Sequence, residues 1–251
     1  MLQGNNSLQL SRYLFILAHP DDEIYTCAFI AKLVQEGKNV NMLYVTSGDY
    51  NGADIGKLRE KEVSASMKIL GVSENNIYFL RIPERQLIDR LPEVAKDVLI
   101  KTKIINPDCI IGHDYEGGHN GHDAVSFCAY RATQKLNIPL YVFPAYHNWP
   151  EKRLWNQFID GREPTYTLEL TDKQKGLQNQ VISSHKTQET FFNTIKQSDS
   201  YKFFSTREIL RLALKPIDYI KPPTTPVGYE YPGGKIRFED FKKAVILADN
   251  I

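Results

Sequence analysis

Tyr13-Leu-Phe-Ile-Leu-Ala18 is an unbroken apolar run, followed by the polar turn His19-Pro-Asp-Asp-Glu23, a helically spaced segment at 24–35 that stops at Gly37, and a second apolar run, Val40-Asn-Met-Leu-Tyr-Val45. Short continuous apolar runs bounded by turns read as strands buried on both faces, and a helix between two of them makes a parallel crossover unit. The pattern repeats along the chain. A helix at 57–70 closes at Gly71, and Ile77-Tyr-Phe-Leu80 is a short strand. A helix at 92–103 leads through Asn106-Pro-Asp108 into the strand Cys109-Ile-Ile-Gly112, and a helix at 121–136 precedes the strand Leu140-Tyr-Val-Phe143. This alternation predicts an α/β fold: a single Rossmann-like, doubly wound, mostly parallel sheet with helices on both faces. Such sheets carry their chemistry in loops at the carboxyl ends of strands, which directs attention to the segments after Ala18, Val45, Gly112 and Phe143.

Beyond these units the pattern loosens. Tyr166-Thr-Leu-Glu-Leu170 alternates like a half-exposed strand, 172–184 reads as a helix, and a further helix is expected at 206–214. The stretch 215–234 holds five prolines and three glycines, too many for regular structure, and reads as a loop wrapping the domain. The expected organisation is one domain over 1–251, with a core at about 13–188 and a less regular C-terminal extension at about 189–251.

The 251 residues are 42% apolar and 24% charged, as in ordinary globular proteins. Lys and Arg number 31 against 30 Asp and Glu, a net charge of +1, so there is no basic excess to advertise nucleic acid or an anionic membrane. Three widely spaced cysteines, Cys27, Cys109 and Cys128, argue against a disulfide framework and for a reducing compartment. The polar segment 1–11 and the short apolar run after it fit neither a signal peptide nor a membrane span. The expected location is therefore cytoplasmic, with no integral membrane segment; homo-oligomerisation stays open.

Two loops concentrate the chemistry. In His19-Pro-Asp-Asp-Glu23 the acids suit a helix N-terminus, but His19 at a strand end with Asp22 three residues later lets an imidazole and a carboxylate converge on one ion, with Asp21 beside it. In the loop after the fourth strand, Gly112-His-Asp-Tyr-Glu-Gly-Gly-His-Asn-Gly-His-Asp123, His119 and His122 straddle the start of a helix behind Gly117-Gly118. Topology makes the two loops neighbours. One Asp and two His form the N,N,O set of hydrolytic zinc sites, and the set also suits Fe2+. A nucleotide-binding reading is disfavoured, since the first loop lacks G-x-G-x-x-G and carries acids where a phosphate needs donors. Candidate substrate contacts are Arg59, suited to a phosphate or sugar hydroxyl, and Tyr50, Tyr146, His147 and Trp149, suited to stacking on a sugar ring. His185 is a candidate for lining the site from the C-terminal part, and His113, ending a buried strand, is read as structural.

Ala18-His-Pro-Asp-Asp-Glu23 resembles the first signature of the PIG-L/LmbE-like de-N-acetylases, and Tyr115-Glu-Gly-Gly-His-Asn-Gly-His-Asp-Ala124 resembles the second. The similarity extends to Thr46-Ser-Gly48, to Arg59 and Glu62 ahead of Leu70-Gly71, and more weakly to His185-Lys-Thr-Gln188, covering about 13–188. Members remove acetyl groups from N-acetylglucosamine-containing glycolipids, thiol glycosides and antibiotic precursors. The resemblance implies a small amino-sugar substrate, zinc held by His19, Asp22 and His122, Asp21 as general base, and a protonated His119 as electrophilic partner of the substrate carbonyl. Members usually have Pro-Asp between the paired histidines, where this chain has Asn120-Gly121. The acid that would orient His119 is thus absent, with Asp123, Asp114 and Glu116 as substitutes nearby. The alternative reading is a weakened or inactive member that binds a carbohydrate or metal without turnover.

Overall fold

The apolar run that opens the chain becomes β1 (Arg12–Leu17), whose residues from Tyr13 onward are buried. The computed structural model describes residues 10–50, 52–147, 153–213, 216–230 and 235–249. After β1 come α1 (Cys27–Gln35), β2 (Asn39–Thr46), α2 (Ala53–Leu70), β3 (Ile77–Ile82), α3 (Leu91–Ile105), β4 (Cys109–His113), α4 (Asn120–Leu136) and β5 (Leu140–Phe143). The later elements are the short β6 (Tyr146–His147) and β7 (Leu154–Trp155), β8 (Tyr166–Glu169), α5 (Asp172–Ser184), α6 (Glu189–Lys196), α7 (Tyr201–Thr206), β9 (Arg207–Leu212) and α8 (Phe238–Asp249).

Seven strands form one sheet in the order β3-β2-β1-β4-β5-β9-β8. The first five are parallel, with Tyr13 opposite Val40 on one side and Cys109 on the other, and β9 runs antiparallel to both β5 and β8. Leu14 and Ile16 point to the face covered by Val94 and Val98 of α3, Ala124 and Cys128 of α4, and Phe241 and Val245 of α8. Phe15 and Leu17 point to the other, with Ile30 of α1, Val63 and Met67 of α2, and Val181 of α5. Apolar layers on both sides explain why β1 reads as a continuous run and not as an alternation. The strand order reverses between β1 and β4, so their carboxyl ends open a crevice into which the two histidine loops project. The expected mostly parallel, doubly wound α/β sheet is the fold observed.

Helix ends follow local chemistry. Asn106 and Asn137 close α3 and α4 in the left-handed region (φ 51° and 53°), which Asn tolerates better than most side chains. Thr171 and Gln174 exchange hydrogen bonds in a capping box that starts α5.

Three expectations need correction. The helix at 24–35 is broken: a 3-10 turn at Asp22–Tyr25 precedes Thr26 (φ −140°), and α1 starts at Cys27. The helix expected at 206–214 is instead β9, because without it β8 lacks a partner and the outer edge of β5 is unpaired, and the ladder it completes outweighs a weak local preference. Helix α8 was not anticipated, although Phe238, Phe241, Ala244, Val245 and Ala248 are buried at helical spacing. Of the proline-rich stretch, the described part packs Tyr219 against Tyr115 (ring centroids 4.5 Å apart), and the Gly228 amide donates to Gly117 O at 2.6 Å. It thereby backs the loop that follows β4.

Candidate active site

The turn after β1 is held by its own backbone and by its neighbours. The amides of Asp21 and Asp22 donate to His19 O, at 2.9 and 3.2 Å, and the Thr46 hydroxyl donates to Ala18 O at 2.7 Å. Asp22 turns back so that Oδ2 accepts the His19 amide at 2.6 Å. Asp21 occupies the cap position of the 3-10 turn without making a side-chain cap bond, so capping does not account for it. Glu23 points the other way. It is fully buried, accepts from Tyr44 Oη at 3.0 Å, and lies 2.7 Å from His185 Nε2.

The loop after β4 is packed tightly against this turn. A Cβ on Gly118 would lie 1.8 Å from Tyr146 O, and one on Gly121 would meet both His119 Nδ1 and His19 Nε2 at 3.0 Å. Only glycine allows the approach at Gly118, whereas at Gly121 a side chain would press on the two imidazoles. His119 caps α4, its Nδ1 accepting the Gly121 amide at 3.0 Å. A ring nitrogen that accepts an N–H carries no proton, so the other nitrogen, Nε2, holds it. None of the three acids considered as substitutes takes this position. Asp114 pairs with Arg211 at 3.2 Å, Glu116 accepts the amides of Ala145 and Tyr146, and Asp123 accepts the amide of Gly117.

Asp22 stands at the centre of the imidazoles. Its oxygens lie 3.5 Å from His19 Nδ1, 3.3 Å from His122 Nε2 and 3.1 Å from His113 Nε2. His113, expected to be a bystander, is therefore part of the cluster, and its ring also stacks on His122 at 4.1 Å. Two overlapping groups have ligand atoms within 4.8 Å of one another: His19 with His119 and His122, and Asp22 with His113 and His122. Nε2 of His19 and Nδ1 of His113 and His122 are buried without hydrogen-bond partners. Burial alone would raise Asp22, but the imidazoles of His122, His113 and His19 hold it well below the usual carboxylate range. Burial and the adjacent His113 push His122 down to about 3, leaving a neutral imidazole. Burial also works to depress His19, yet Asp22 carries it up to about 9, so the position favours a cation. Orphaned nitrogens, a neutral imidazole and an ionised carboxylate are the donor set that a zinc-like ion requires.

His19, Asp21, Asp22, His119, His122 and Tyr146 share the lining of a recess of about 290 Å³, which joins a wider cleft of about 610 Å³. Burial pushes Asp21 up, with Arg59 opposing and Asp22 reinforcing the shift. Arg59 borders both cavities but is 6% exposed and fully engaged: Nη2 donates to Asp21 Oδ1 at 2.6 Å, Nε and Nη2 to Pro20 O, and Nη1 to Gly48 O. It latches the first loop and at the same time borders both cavities. Tyr50 stands exposed at the mouth, and Tyr146 lies 5.4 Å from the His122 ring. His185 is buried behind Glu23 and lines neither cavity, which corrects its expected place. His147 faces Gln157 O, and Trp149 lies outside the described residues. Sequence reasoning passed over Glu84, whose Oε1 lies 3.7 Å from His19 Nε2, although it follows the carboxyl end of β3 and the strand-end rule reaches it. Gln188, at the end of the weakly similar stretch His185–Gln188, also lines the recess, as do Arg153 and Phe191, which carried no sequence signal.

Residues 14–133 match the family model described as PIG-L: GlcNAc-PI de-N-acetylase. The chain is 29% identical over 134 residues to a probable N-acetylglucosaminyl-phosphatidylinositol de-N-acetylase of Dictyostelium discoideum, covering 49% of this chain and 50% of that protein. It is 26% identical over 170 residues to the 1D-myo-inositol 2-acetamido-2-deoxy-alpha-D-glucopyranoside deacetylase of Thermobispora bispora, covering 55% and 56%. The chain thus spans about half the length of these curated relatives. Among solved structures, the N,N'-diacetylchitobiose deacetylase from Pyrococcus horikoshii superimposes with a TM-score of 0.61 at 22% identity, over 85% of this chain and 87% of that one. The zinc-inhibited form of teicoplanin deacetylase Orf2 superimposes with a TM-score of 0.59 at 14% identity, over 82% and 100%. At these identities the structural likeness establishes the fold. Across residues 14–133, the chain carries a domain of the PIG-L family.

Proposed function

We propose that this chain is a metal-dependent hydrolase that removes the acetyl group from an N-acetylated amino sugar of the N-acetylglucosamine type, or from its conjugate. The observation that carries this reading is the meeting of both histidine motifs in one recess, which Asp21 and His119 line beside the buried His19, Asp22 and His122. Those three residues would hold the ion, Zn2+ or alternatively Fe2+. When bound, the ion supplies a Lewis acid that polarises the acetyl carbonyl and acidifies water.

The protein's own groups do the rest. Arg59 occupies Asp21 Oδ1, leaving Oδ2 to take the proton from the attacking water and pass it to the departing nitrogen as the C–N bond breaks. Its raised affinity for a proton suits that exchange. His119 donates Nε2–H to the developing oxyanion as a neutral imidazole, since the Gly121 amide occupies Nδ1. This replaces the protonated His119 expected from the family pattern, and burial among His19 and His122 disfavours a positive ring there. Tyr146 supports a sugar ring from the recess wall. The products are acetate and the free amine.

We read the chain as one catalytic unit, because β8 and β9 complete the sheet and residues 228–229 and 235–236 border the cleft. Among the described residues no helix is long and apolar enough to cross a membrane, and the three free, buried cysteines support a cytoplasmic setting. The relatives' names carry phosphatidylinositol and myo-inositol conjugates and so leave the aglycone open.

The test is to incubate zinc-loaded protein with a panel of N-acetylglucosaminides and measure released acetate and amine. Turnover abolished by chelation and by His122→Ala is expected. Turnover that survives either treatment overturns the metal mechanism. Tight metal binding with no turnover across the panel favours the alternative of a binding protein.

A further inference from the structure

A second cavity, of about 200 Å³, lies on the face of the sheet that carries α1, and none of its lining residues borders the recess or the wider cleft. The recess opens at the carboxyl ends of β1 and β4, whereas this cavity reaches Tyr13 and Tyr141, the second residues of β1 and β5. Phe29, Lys32, Leu33 and Glu36 recur at helical spacing and turn one face of α1 toward it. Leu210 of β9 and Leu168 of β8 add to an apolar lining. Side chains in a folded interior pack to nearly crystalline density, and a void of about 150 Å³ already admits benzene, so this space is large enough for a ligand.

The charges of the lining are answered within the protein, with one exception. Lys32 pairs with Glu36. Glu208 is buried, its Oε1 accepting the Ala28 amide at 2.8 Å and its Oε2 the Phe29 amide at 2.7 Å. Burial also carries it up to about 7, which weakens its negative charge at neutral pH. Lys38 is half-buried and, among the described residues, its ammonium has neither an ion pair nor a hydrogen bond. An apolar space lined by one unanswered cation is complementary to an apolar molecule that carries one anionic group.

We propose that this cavity is a ligand site separate from the catalytic recess, and that it takes a small monocarboxylate whose apolar body is one aromatic ring or a short alkyl chain. The body packs among Tyr13, Phe29 and Leu210, and the carboxylate meets the Lys38 ammonium. Removing the ring or chain from water supplies most of the affinity, while Lys38, partly in contact with solvent, selects the acid over a neutral analogue. The site does not depend on the chemistry of the recess.

Calorimetry on the full chain with 3-phenylpropionate, octanoate and the neutral 3-phenylpropanol tests this. At least one acid is expected to bind once per chain with a Kd below about 1 mM, and phenylpropionate several-fold tighter than the alcohol if the body is a ring. The tighter of the two acids tells ring from chain. Lys38→Met should weaken the acids several-fold and leave the alcohol unchanged, and raised salt should do the same. Leu168→Trp, which places an indole in the cavity, should abolish binding of all three, and His122→Ala should leave every Kd as it was. Should Leu168→Trp fail to fold, nuclear Overhauser contacts from the bound acid to the Phe29 and Tyr141 rings of the unaltered chain locate it instead. Failure of both acids to bind, binding indifferent to Lys38→Met, or binding lost in His122→Ala overturns the proposal. So does a dimer, seen by sedimentation, that Leu168→Trp dissociates while no acid binds, since the cavity then belongs to an interface between two copies.

Discussion

Replacing Arg59 separates a latch from a substrate contact. The Arg59–Asp21 pair is 2.6 Å long between groups 6% exposed each, so Arg59→Met leaves a buried carboxylate without its counter-charge. Breaking such a pair from one side costs about 3–5 kcal/mol. The carbonyls of Pro20 and Gly48 lose their donors too, at about 1 kcal/mol each where water cannot replace them. Against a total stability of roughly 5–15 kcal/mol, the variant should be conspicuously fragile. In an Asp21→Asn background the same replacement strands no charge and should cost only the carbonyl bonds, giving a coupling of about 3–5 kcal/mol. Urea denaturation of the four proteins, followed through the buried Trp155, measures it. Additivity to within about 0.5 kcal/mol refutes the latch. Arg59→Met that raises KM and leaves stability untouched would return Arg59 to the substrate.

Asp21→Asn should keep one metal ion per chain by elemental analysis while losing about 10²–10⁴-fold in turnover, whereas His122→Ala should lose the ion; the opposite pattern means base and ligand have been confused. Glu208 accepts the amides of Ala28 and Phe29 at the start of α1, and burial carries it up to about 7 from an ordinary 4.5. It binds its proton more tightly when folded, so its contribution is fully present below pH 4.5 and lost as pH rises through 7, about 3 kcal/mol in all. Glu208→Gln should remove that part of the slope between pH 5 and 8 in chemical denaturation, and an unchanged slope contradicts it. Gly118→Ala places a methyl 1.8 Å from Tyr146 O and should cost about 1–3 kcal/mol or more by the same assay, with a neutral result showing that β6 yields freely.

The five parallel strands and the two loops are legible from residue order alone. Strand β1 could be read because residues 13–17 are apolar on both faces, and Gly71, Asn106 and Asn137 mark helix ends through backbone preferences that act within a few residues. His19, Asp22, His119 and His122 were visible as motifs, and the strand order predicted for a doubly wound sheet put their loops side by side. What each side chain touches follows from packing between distant segments. Arg59 meets Asp21 across 38 positions, His185 meets Glu23 across 162, and Glu208 reaches Ala28 across 180. No periodicity encodes such pairings, because burial in a shared low-dielectric interior creates them. The same holds for β9, whose weak helical pattern gave way to the unpaired edges of β5 and β8. It holds also for His119, where the absent acid turned out to be replaced by a backbone amide, a donor that every residue except proline carries and that no sequence displays.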